Sequence, residues 1–352
     1  MSVLSLIVAA AERLCAAPES EVVFSSRVRL ARNFRDIPFP HRASTGERSR
    51  VVQRVLRVAR EARGRRLLVL PVGSLPPLEL EALAENHLIS REMVAGGSER
   101  AVIFSPEGDL CAMVNEEDHV RVQALVGGLD LEGPLRRVNE FERMLGRVGE
   151  LAYKEGLGFL TACPSNVGTG LRASVLLRLP ALYFTKRLQS ALDRQLNSSI
   201  TVRGIYGEGS KPAAFLLQLS NQRTAEQDPE AIVANVSRVA RALAQAEHAA
   251  REALVQRFRP EVEDLVLRAA GTLRSARLIS SEEAMEKLAQ VRLGLDLGIL
   301  RGVAPREVDR LMLLVRPATL QLVLRQRLAT RERDFRRATF IRQRLSQLRA
   351  AC

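Results

Sequence analysis

The feature that most constrains the fold of this 352-residue chain is a change in its hydrophobic pattern near residue 230. Before this point, short apolar runs typical of strands alternate with amphipathic stretches typical of helices. After it, the strand-like runs stop and apolar residues recur at helical spacing. At about 150 residues per domain, the length fits two domains. We therefore expect a mixed α/β domain followed by an all-helical one, with a boundary between residues 228 and 250.

The first part contains several segments with a clear local pattern. The apolar runs predict strands at Arg66–Leu70, Ala101–Phe104, Ala112–Val114 and Phe215–Leu219. The amphipathic stretches predict helices at Ser49–Ala62, Leu135–Gly146 and Ser174–Leu192, the last with a break at Pro180. The apolar segment Val3–Ala11 lacks the preceding positive charges of a signal peptide, so we interpret it as a short helix.

The second part carries explicit helix start and stop signals. Pro229–Leu273 has helical periodicity with a break at Pro260. Ser280 and Glu283 form a capping box before Ala284–Leu300. Pro305 occupies the first turn of a helix over Arg306–Val315, which ends at Pro317. The remaining segment, Leu320–Leu348, is expected to continue as a helix with few breaks.

The charge balance is strongly basic, at +13, and the 53 basic residues comprise 49 arginines and four lysines. Arginine is the better residue for binding phosphate, because its planar fork matches phosphate oxygens. The excess is also what a GC-rich genome produces by codon bias, and we favour that explanation for most of these residues. Nucleic-acid binding is a second reading, but aromatic residues are only 4% of the chain and no recognition motif is present.

The remaining composition excludes several classes of protein. Four cysteines lie far apart, without the spacing of a zinc site or a disulfide framework, which indicates a reducing cytosol. No apolar run reaches the roughly 18–20 residues of a membrane span.

Two segments place charged residues beside apolar strands. In "FSSRVR", Arg27 and Arg29 point to one face if the segment is a strand. In "VNEEDHVR", an extended chain would place Glu117, His119 and Arg121 on one face. Taken singly, an exposed strand face and a solvated turn are the more common explanations.

Two further segments combine charge with glycines. "CPSNVGTGLRAS" is a glycine loop that we expect to lead into a helix, so that backbone amides and Arg172 form an anion site near a helix N-terminus. It lacks the P-loop pattern. "RGIYGEGS" follows a strand that ends at Arg203, and its three glycines allow close approach of a ligand to the backbone. A plain turn and a flexible loop are the alternatives.

Together and in this order, the segments "SSRVRLARN", "NEEDHVRVQ", "LTACPSNVGTGLRAS" and "RGIYGEGS" resemble the signatures of the ATP:guanidino phosphotransferases, the family of creatine and arginine kinases. The match is closest to its bacterial protein-arginine kinase branch, the McsB type. The resemblance implies an α+β fold, with an antiparallel sheet flanked by helices as in glutamine synthetase. It also implies three regions: an N-terminal extension (1–20), a catalytic domain (21–250) and a helical dimerisation domain (251–352).

The resemblance implies transfer of the γ-phosphoryl group of ATP to a guanidinium, with Mg²⁺ carried by ATP rather than held directly by the protein. The catalytic residues would be Glu117 as base, Glu208 as a second substrate-binding carboxylate and Cys163 as a reactive thiol beside the guanidinium. His119 is expected simply to pack. The expected ATP-binding residues are Ser25, Ser26, Arg27, Val28, Arg29, His87, Arg121, Arg172, Ala173, Ser174, Val175, Leu176, Arg203, Gly204, Ile205, Tyr206, Gly207 and Glu208.

Near the C-terminus, "RDFRRA" resembles the R-D-x-x-R-A phosphoarginine-binding motif of the same branch. The implied allosteric pocket comprises Arg333, Asp334, Phe335, Arg336, Arg337 and Ala338. The spacing is compatible with this, because Arg333 and Arg337 share one face of a helix and two guanidinium groups can hold a phosphate. An acid such as Asp334 could pair with the guanidinium of the ligand.

The branch implies protein substrates with exposed arginines, namely a CtsR-type repressor and misfolded proteins bound for a ClpC-type unfoldase. It also implies a McsA-type activator, a homodimer or larger assembly, a cytoplasmic location, and neither nucleic-acid nor membrane partners. Two alternatives stay open: a phosphoarginine-binding adaptor with weak catalysis, and a kinase for free arginine. Only 24 residues precede Ser25, whereas kinases of small guanidino compounds carry a helical domain there that closes over the substrate. We therefore expect a protein substrate.

Overall fold

An eight-stranded antiparallel sheet forms the centre of the N-terminal part of the protein. The computed structural model describes residues 2–17, 21–61, 67–196, 198–204, 215–225 and 228–351. The strands are β1 (Val23–Arg32), β2 (Leu68–Pro71), β3 (Ala101–Phe104), β4 (Leu110–Val114), β5 (Val120–Gly127), β6 (Tyr153–Lys154), β7 (Gly158–Phe159), β8 (Leu171–Arg178), β9 (Ile200–Gly204), β10 (Leu216–Asn221), β11 (Leu300–Arg301) and β12 (Arg349–Ala350). The large sheet has the order β2-β3-β4-β5-β1-β8-β10-β9, and β6-β7 and β11-β12 are separate pairs. The long strand β1 is therefore central.

Helices flank this sheet and form most of the C-terminal part. They are α1 (Val3–Cys15), α2 (Thr45–Glu61), α3 (Pro77–Glu85), α4 (Arg91–Val94), α5 (Glu132–Val148), α6 (Pro180–Phe184), α7 (Leu188–Gln195), α8 (Pro229–Arg257), α9 (Arg259–Ser275), α10 (Ser281–Asp296), α11 (Pro305–Leu314), α12 (Pro317–Leu324) and α13 (Thr330–Arg344). This arrangement is the expected antiparallel sheet flanked by helices, followed by a helical region. Residue 250 lies within α8, which continues to Arg257.

The two faces of the sheet differ because its strands alternate in polarity. Val28 and Leu30 of β1 face the apolar side, where α5 and α8 complete the main hydrophobic core. The other face carries polar side chains and is approached by the C-terminal helices. There, Arg178 of β8 donates a hydrogen bond to Asp309 of α11 at 2.6 Å, and both side chains are buried. The helical region is thus joined to the polar face of the sheet.

Most of the expected C-terminal helices are confirmed. Ser280 accepts a hydrogen bond from the amide of Glu283 at 3.1 Å, as a helix cap does. Pro260 and Pro305 lie in the first turns of α9 and α11. The helical segment expected over Leu320–Leu348 with few breaks is divided once, because Arg325 adopts a left-handed conformation that ends α12 before α13 begins at Thr330. The region also contains the two-residue pair β11-β12, so it is not entirely helical.

The helix expected over Ser174–Leu192 was wrong in its first half. Residues 171–178 form strand β8, which pairs with β1 on one side and β10 on the other. Leu171, Ala173, Val175 and Leu177 are buried on one face, so the real period is two. The break at Pro180 is real, since α6 begins there. The expected anion site at a helix N-terminus beside Arg172 is therefore also wrong: Arg172 lies within the sheet.

The expected common face of Glu117, His119 and Arg121 was also wrong. Residues 115–119 form the turn between β4 and β5, and Asn115 has a positive φ of 56° that reverses the chain. His119 points away from the other two: its Nδ1 accepts a hydrogen bond from the amide of Phe34 at 3.0 Å, and its Nε2 lies 2.8 Å from the carbonyl oxygen of Pro38. His119 packs, as expected.

In the described part of the chain, no helix is both long enough and apolar enough to cross a membrane. Cys15, Cys111 and Cys163 are free thiols.

Candidate active site

Arginines from three adjacent strands converge on the polar face of the sheet. Arg27 and Arg29 lie two residues apart on β1 and share this face, which confirms the period-two prediction. The register places Arg172 of β8 directly opposite Arg29. Arg121 of β5 is opposite Ala31, two positions further along β1. Residues paired in this way project to one side of a sheet, so the four guanidinium groups are neighbours.

A fifth arginine extends this cluster. Arg203 of β9 is paired with Gln218 of β10, which is in turn paired with Leu176 of β8. The register therefore puts Arg203 on the same face, and its charge contributes to lowering the pKa of Arg172.

The cluster carries more positive charge than the protein around it neutralises. Burial, together with the charges of Arg121 and Arg172, lowers the pKa of Arg27 to about 10. Burial and the charges of Arg27 and Arg121 lower the pKa of Arg29 well below its usual value. Burial and the charge of Arg203 lower the pKa of Arg172. Cations held this close are stabilised by an anion that lies between them, which is the property of a phosphate site.

One carboxylate partly balances the cluster. Glu116 is buried and accepts two hydrogen bonds from Nη1 of Arg121, at 2.8 and 2.9 Å. Burial raises the pKa of Glu116, but the charge of Arg121 and the hydrogen bonds from Ser90 and Arg121 together outweigh it, and the pKa is lowered. In the same way, burial lowers the pKa of Arg121, but the charge and hydrogen bonds of Glu116, together with the charges of Glu117 and Glu92, outweigh it and raise the pKa. This pair holds Arg121 at the edge of the cluster.

The turn between β4 and β5 explains how three consecutive acids are accommodated. Glu116 points inward to Arg121. Asp118 is also buried, and its Oδ1 accepts hydrogen bonds from Nδ2 of Asn33 at 2.6 Å and from the amide of Ala162 at 2.7 Å. Glu117, between them, is exposed. The turn therefore fixes two of the acids and presents the third to solvent.

The carboxyl group of Glu117 is suited to accept a proton. Partial burial and the neighbouring charge of Asp118 raise its pKa, while Arg121 opposes the shift. A carboxylate with a raised pKa is a stronger base than an ordinary glutamate. Glu117 also borders a surface groove of about 590 Å³ that includes Glu99 and Arg48.

Cys163 lies in the loop that precedes β8. It is partly exposed, and its Sγ is 3.0 Å from Oγ of Ser165. The hydroxyl group of Thr224 fixes this loop by hydrogen bonding to the carbonyl oxygens of Ser165 and Val167, at 3.0 and 2.7 Å. Negative charge on either Cys163 or Glu117 raises the pKa of Arg172, so both groups interact electrostatically with this guanidinium.

His87 follows α3 and faces the arginines from the opposite side of a cleft. Its φ is +57°, which turns the chain sharply at this point. Desolvation in the cleft, followed by the charges of Arg316 and Arg27, lowers the pKa of its imidazole well below the usual value. This lowered pKa favours the neutral imidazole, which can donate or accept a hydrogen bond without repelling the arginines.

The cleft has a cationic part and a smaller part with more apolar walls. The cationic part, of about 820 Å³, includes Arg27, Arg29, Arg121 and His87. The smaller cavity, of about 130 Å³, adjoins it and is lined by Leu14, Phe24, Ser25, Arg27, Asn86, His87, Leu125, Ser174, Leu176, Leu216, Gln218, Met285, Met312, Leu313 and Arg316. A charged region beside an apolar one suits a nucleotide, which has a phosphate chain and a base.

The other residues expected to bind ATP have different positions. Val28, Ala173 and Val175 are buried, and the strand period directs their side chains to the opposite face. The hydroxyl group of Ser26 donates a hydrogen bond to the carbonyl oxygen of Gly128 at 2.7 Å, which is a structural contact. Gly204 ends β9. The remaining four, Ile205, Tyr206, Gly207 and Glu208, lie outside the described residues.

No group of three or more histidine, cysteine, aspartate or glutamate side chains in the described ranges could hold a metal ion. The polar face of the sheet carries arginines rather than carboxylates that could ligate a metal ion. It therefore suits a metal ion that arrives with nucleotide phosphates.

The C-terminal motif lies on α13. Its outer residues include the exposed Phe335, whereas Arg337 and Ala338 are buried. Arg337 donates hydrogen bonds to the carbonyl oxygens of Val315 and Ile279, both at 2.8 Å, and to Asp334 at 2.5 Å. Arg333 and Arg336 are partly exposed. The two arginines expected to share a helix face therefore differ: Arg337 is engaged within the protein and Arg333 is more accessible.

Sequence patterns missed several residues of the site. Glu116 is one of them, and its place as the first of three consecutive acids is its only local signal. Met285 and Arg316 line the cleft from the C-terminal helices, more than one hundred residues beyond Arg172. No local pattern marks them, because their position depends on how the helical region packs.

Comparison with known proteins accounts for both parts of the chain. Residues 47–250 match the family model "ATP:guanido phosphotransferase, C-terminal catalytic domain". Residues 259–351 match the "Protein-arginine kinase McsB C-terminal domain". The chain belongs to the protein-arginine kinase family of ATP:guanido phosphotransferases.

Relatives named protein-arginine kinase match this kinase over almost its whole length. The protein from Halothermothrix orenii is 41% identical over 329 residues, which cover 94% of each chain. That from Moorella thermoacetica is 40% identical over 334 residues, covering 94% of this chain and 95% of the relative. That from Bacillus cereus is 41% identical over 332 residues, covering 93% of each.

Solved structures support the fold of the kinase. A lombricine kinase aligns with a TM-score of 0.59 and 23% identity, over 68% of this chain and 70% of that one. The duplicated taurocyamine kinase of Schistosoma mansoni also aligns with a TM-score of 0.59, at 24% identity. That match covers 66% of this chain and 34% of the duplicated one. The phosphagen-kinase fold is thereby confirmed.

Proposed function

We propose that this kinase transfers the γ-phosphoryl group of ATP to the guanidinium group of arginine side chains in proteins. The single observation that carries the proposal is the cluster of under-neutralised arginines on the sheet, with Glu117 and Cys163 at its border. The cluster fits a polyphosphate, and the carboxylate fits a cationic acceptor. The names of the relatives support arginine in proteins as that acceptor.

The acceptor must lose a proton during the reaction. The guanidinium of arginine is protonated at any physiological pH, so its nitrogen has no free electron pair to attack phosphorus. In the proposed step, a guanidinium nitrogen forms a bond to the γ-phosphorus and passes its proton to Glu117, while the bond between that phosphorus and the oxygen of ADP breaks. Its exposed position and raised pKa suit Glu117 to this role.

The arginine cluster stabilises the transferred group. Negative charge spreads over the phosphoryl oxygens as the old bond breaks, and fixed guanidinium groups in a desolvated cleft interact with it strongly. Arg27, Arg29 and Arg172 are fixed by the central strands, so little reorganisation is needed. Magnesium, carried by the phosphates of ATP, would neutralise further charge there.

Two further groups complete the proposal for the acceptor site. Cys163 would contact the guanidinium, since it shares the electrostatic environment of Arg172 with Glu117. Glu208, outside the described residues, would supply a second carboxylate. The groove beside Glu117 provides room for an arginine that remains attached to a protein.

Regulation and partners extend the same proposal. Arg333, Asp334 and Arg337 would bind phosphoarginine and control activity, with Arg333 as the more accessible arginine. The modified proteins would include a CtsR-type repressor and misfolded clients of a ClpC-type unfoldase. A McsA-type protein would activate the kinase, which would act as a homodimer. The partly exposed thiol of Cys163 fits the reducing cytoplasm, where we expect the kinase to act.

The test is a comparison of acceptors. The protein is incubated with ATP and Mg²⁺, and with either free arginine or an unfolded arginine-containing protein. Mass spectrometry under non-acidic conditions then detects phosphoarginine. We expect label on arginines of the protein acceptor. Label on free arginine alone would contradict the proposed substrate, and label on neither acceptor would contradict the activity.

A further inference from the structure

The nucleotide cleft has a wall that belongs to the C-terminal helical region. Met285 of α10 and Arg316, just before α12, line both the cationic part of the cleft and the smaller cavity beside it. We propose that Arg316 is a nucleotide-binding residue, which contacts the phosphate chain of ATP from the side opposite to the arginines of the sheet. This inference rests on the proposed function, because it assumes that the cleft binds ATP.

The backbone of Arg316 is fixed by its local sequence. It has an extended conformation (φ −64°, ψ 152°), which the following Pro317 favours. Its carbonyl oxygen accepts a hydrogen bond from the amide of Leu320 at 2.8 Å, so Arg316 forms the N-terminal end of α12. Arg316 therefore lines the cleft from a rigid point at the start of a helix.

The charge of Arg316 acts on the same space as the arginines of the sheet. After desolvation, Arg316 is the group that contributes most to lowering the pKa of His87, and Arg27 follows. The two arginines come from opposite walls and both line the two parts of the cleft. Like charges that converge on one space repel, and an anion between them removes that repulsion. A phosphate chain in the cleft would fill this role.

One carboxylate joins the chain segment that carries Arg316 to the segment that carries His87. Glu85, at the end of α3, accepts hydrogen bonds from the amides of Ala318 and Thr319, at 2.8 and 2.9 Å, and from the hydroxyl group of Thr319 at 2.9 Å. These amides are in the first turn of α12, so Glu85 acts as its cap. Since Glu85 lies two residues before His87, the same clamp sets the distance between the two walls.

Arg337 holds this wall from behind. It binds the carbonyl oxygen of Val315, the residue before Arg316, and that of Ile279, two residues before Ser281. Ser281 also lines the cleft. Arg337 thus fixes both chain segments by which the helical region enters the nucleotide site. We assign it a positioning role, which it exerts through Val315.

The direct test measures nucleotide binding, which needs no acceptor. ADP affinity is measured by calorimetry for the unchanged kinase and for Arg316→Gln, Arg316→Lys and Arg306→Gln. Arg306 is an exposed arginine on α11 and serves as the matched control. Because a hydrogen bond to a charged group is lost, we expect Arg316→Gln to weaken binding about tenfold or more. Arg316→Lys should lose less, and Arg306→Gln should lose nothing.

The outcomes separate this inference from the proposed function. If the unchanged kinase binds no ADP, the proposed function fails. If it binds ADP and a folded Arg316→Gln variant binds equally well, only the role of Arg316 is refuted. A weakening of the same size in Arg306→Gln would show a general effect of charge and would also refute it.

The positioning role of Arg337 has its own readout. Arg337→Lys keeps the charge but lacks the fork that reaches two carbonyl oxygens. We expect the KM for ATP to rise several-fold, by a larger factor than any change in kcat at saturating ATP, because the nucleotide wall moves. A several-fold fall in kcat with an unchanged KM for ATP would contradict the positioning role of Arg337.

Discussion

Glu116 and Arg121 form a partly buried ion pair at the edge of the arginine cluster, with two hydrogen bonds of 2.8 and 2.9 Å. The carboxylate of Glu116 is fully shielded from solvent. It lies five residues from Arg121 in sequence, across the turn that also presents Glu117. The pair therefore couples the position of Glu117, the proposed base, to the charge balance of the arginine cluster.

Removing this carboxylate should destabilise the protein without nucleotide and increase its response to nucleotide. In Glu116→Gln, Arg121 loses its counter-ion and the cluster has one negative charge fewer. Because the Arg121 side chain is 24% exposed, losing its partner should cost less than in a fully buried pair, about 2 kcal/mol. We expect the free energy of unfolding in urea to fall by about this amount, and ADP to restore more stability to the variant than it adds to the unchanged protein.

The control for this experiment is Glu132→Gln, which neutralises an exposed glutamate on α5. It should change the free energy of unfolding by less than about 0.5 kcal/mol. If the two variants unfold alike, the pair does not balance the cluster.

The raised pKa of Glu117 predicts the acid limb of the activity profile. Because its pKa lies above the usual 4.5, Glu117 gains a proton as the pH falls through that higher value, and the base is lost. The acid limb of kcat/KM should therefore have its midpoint above 4.5, and the rate should rise with pH until Glu117 is ionised. A pH–rate profile with a peptide acceptor measures this. A rate that stays constant down to pH 4.5 would show that another group is the base.

Two glycines with positive φ should respond differently to alanine. A Cβ on Gly168 would lie 2.5 Å from the carbonyl oxygen of Thr224, whereas one on Gly156 would meet nothing within 4 Å. Both variants carry the left-handed backbone cost of about 1–2 kcal/mol. Gly168→Ala should lose about 1–3 kcal/mol more because of the clash. It should also lower kcat, since Thr224 fixes the loop of Cys163.

Thermal and urea unfolding of both variants, with kcat for each, test this. Equal losses of stability would mean that the approach of Gly168 to Thr224 is not constrained.

The thiols should differ in reactivity. Burial raises the pKa of Cys15 to about 12 and raises that of Cys111 as well, so neither forms a thiolate readily. Cys163 is partly exposed. Cys352 is outside the described residues, so the experiment uses a Cys352→Ser background. There, iodoacetamide should alkylate Cys163 first. An acceptor peptide together with ADP should protect Cys163 from alkylation. Peptide mapping measures the order. Earlier labelling of Cys15 or Cys111 would contradict the burial described.

Local patterns predicted the parts of the fold that depend on local chemistry. The cap at Ser280 and the prolines at the starts of α9 and α11 act within one helical turn, so their sequence signals were sufficient. The common face of Arg27 and Arg29 follows from the pleat of any strand.

Other parts depend on contacts that no local pattern shows. The segment Leu171–Arg178 has apolar residues compatible with both helical and strand spacing, and its pairing with β1 and β10 decides the outcome. The turn at Asn115 depends on hydrogen bonds from its side chain to the carbonyl oxygens of Arg48 and Glu99, which are distant in sequence. Arg316 lines the cleft beside the point where Glu85 binds the first turn of α12, a contact between residues more than two hundred positions apart.

The most direct test of the account is the rate of phosphoarginine formation by Glu117→Gln, measured beside its affinity for ADP. The variant keeps the shape of the side chain but cannot accept the proton. We predict that the rate on a protein acceptor falls by about 10²–10⁴ while ADP binding is unchanged. Phosphoarginine formed at the unchanged rate would contradict the assignment of Glu117 as the base of this kinase.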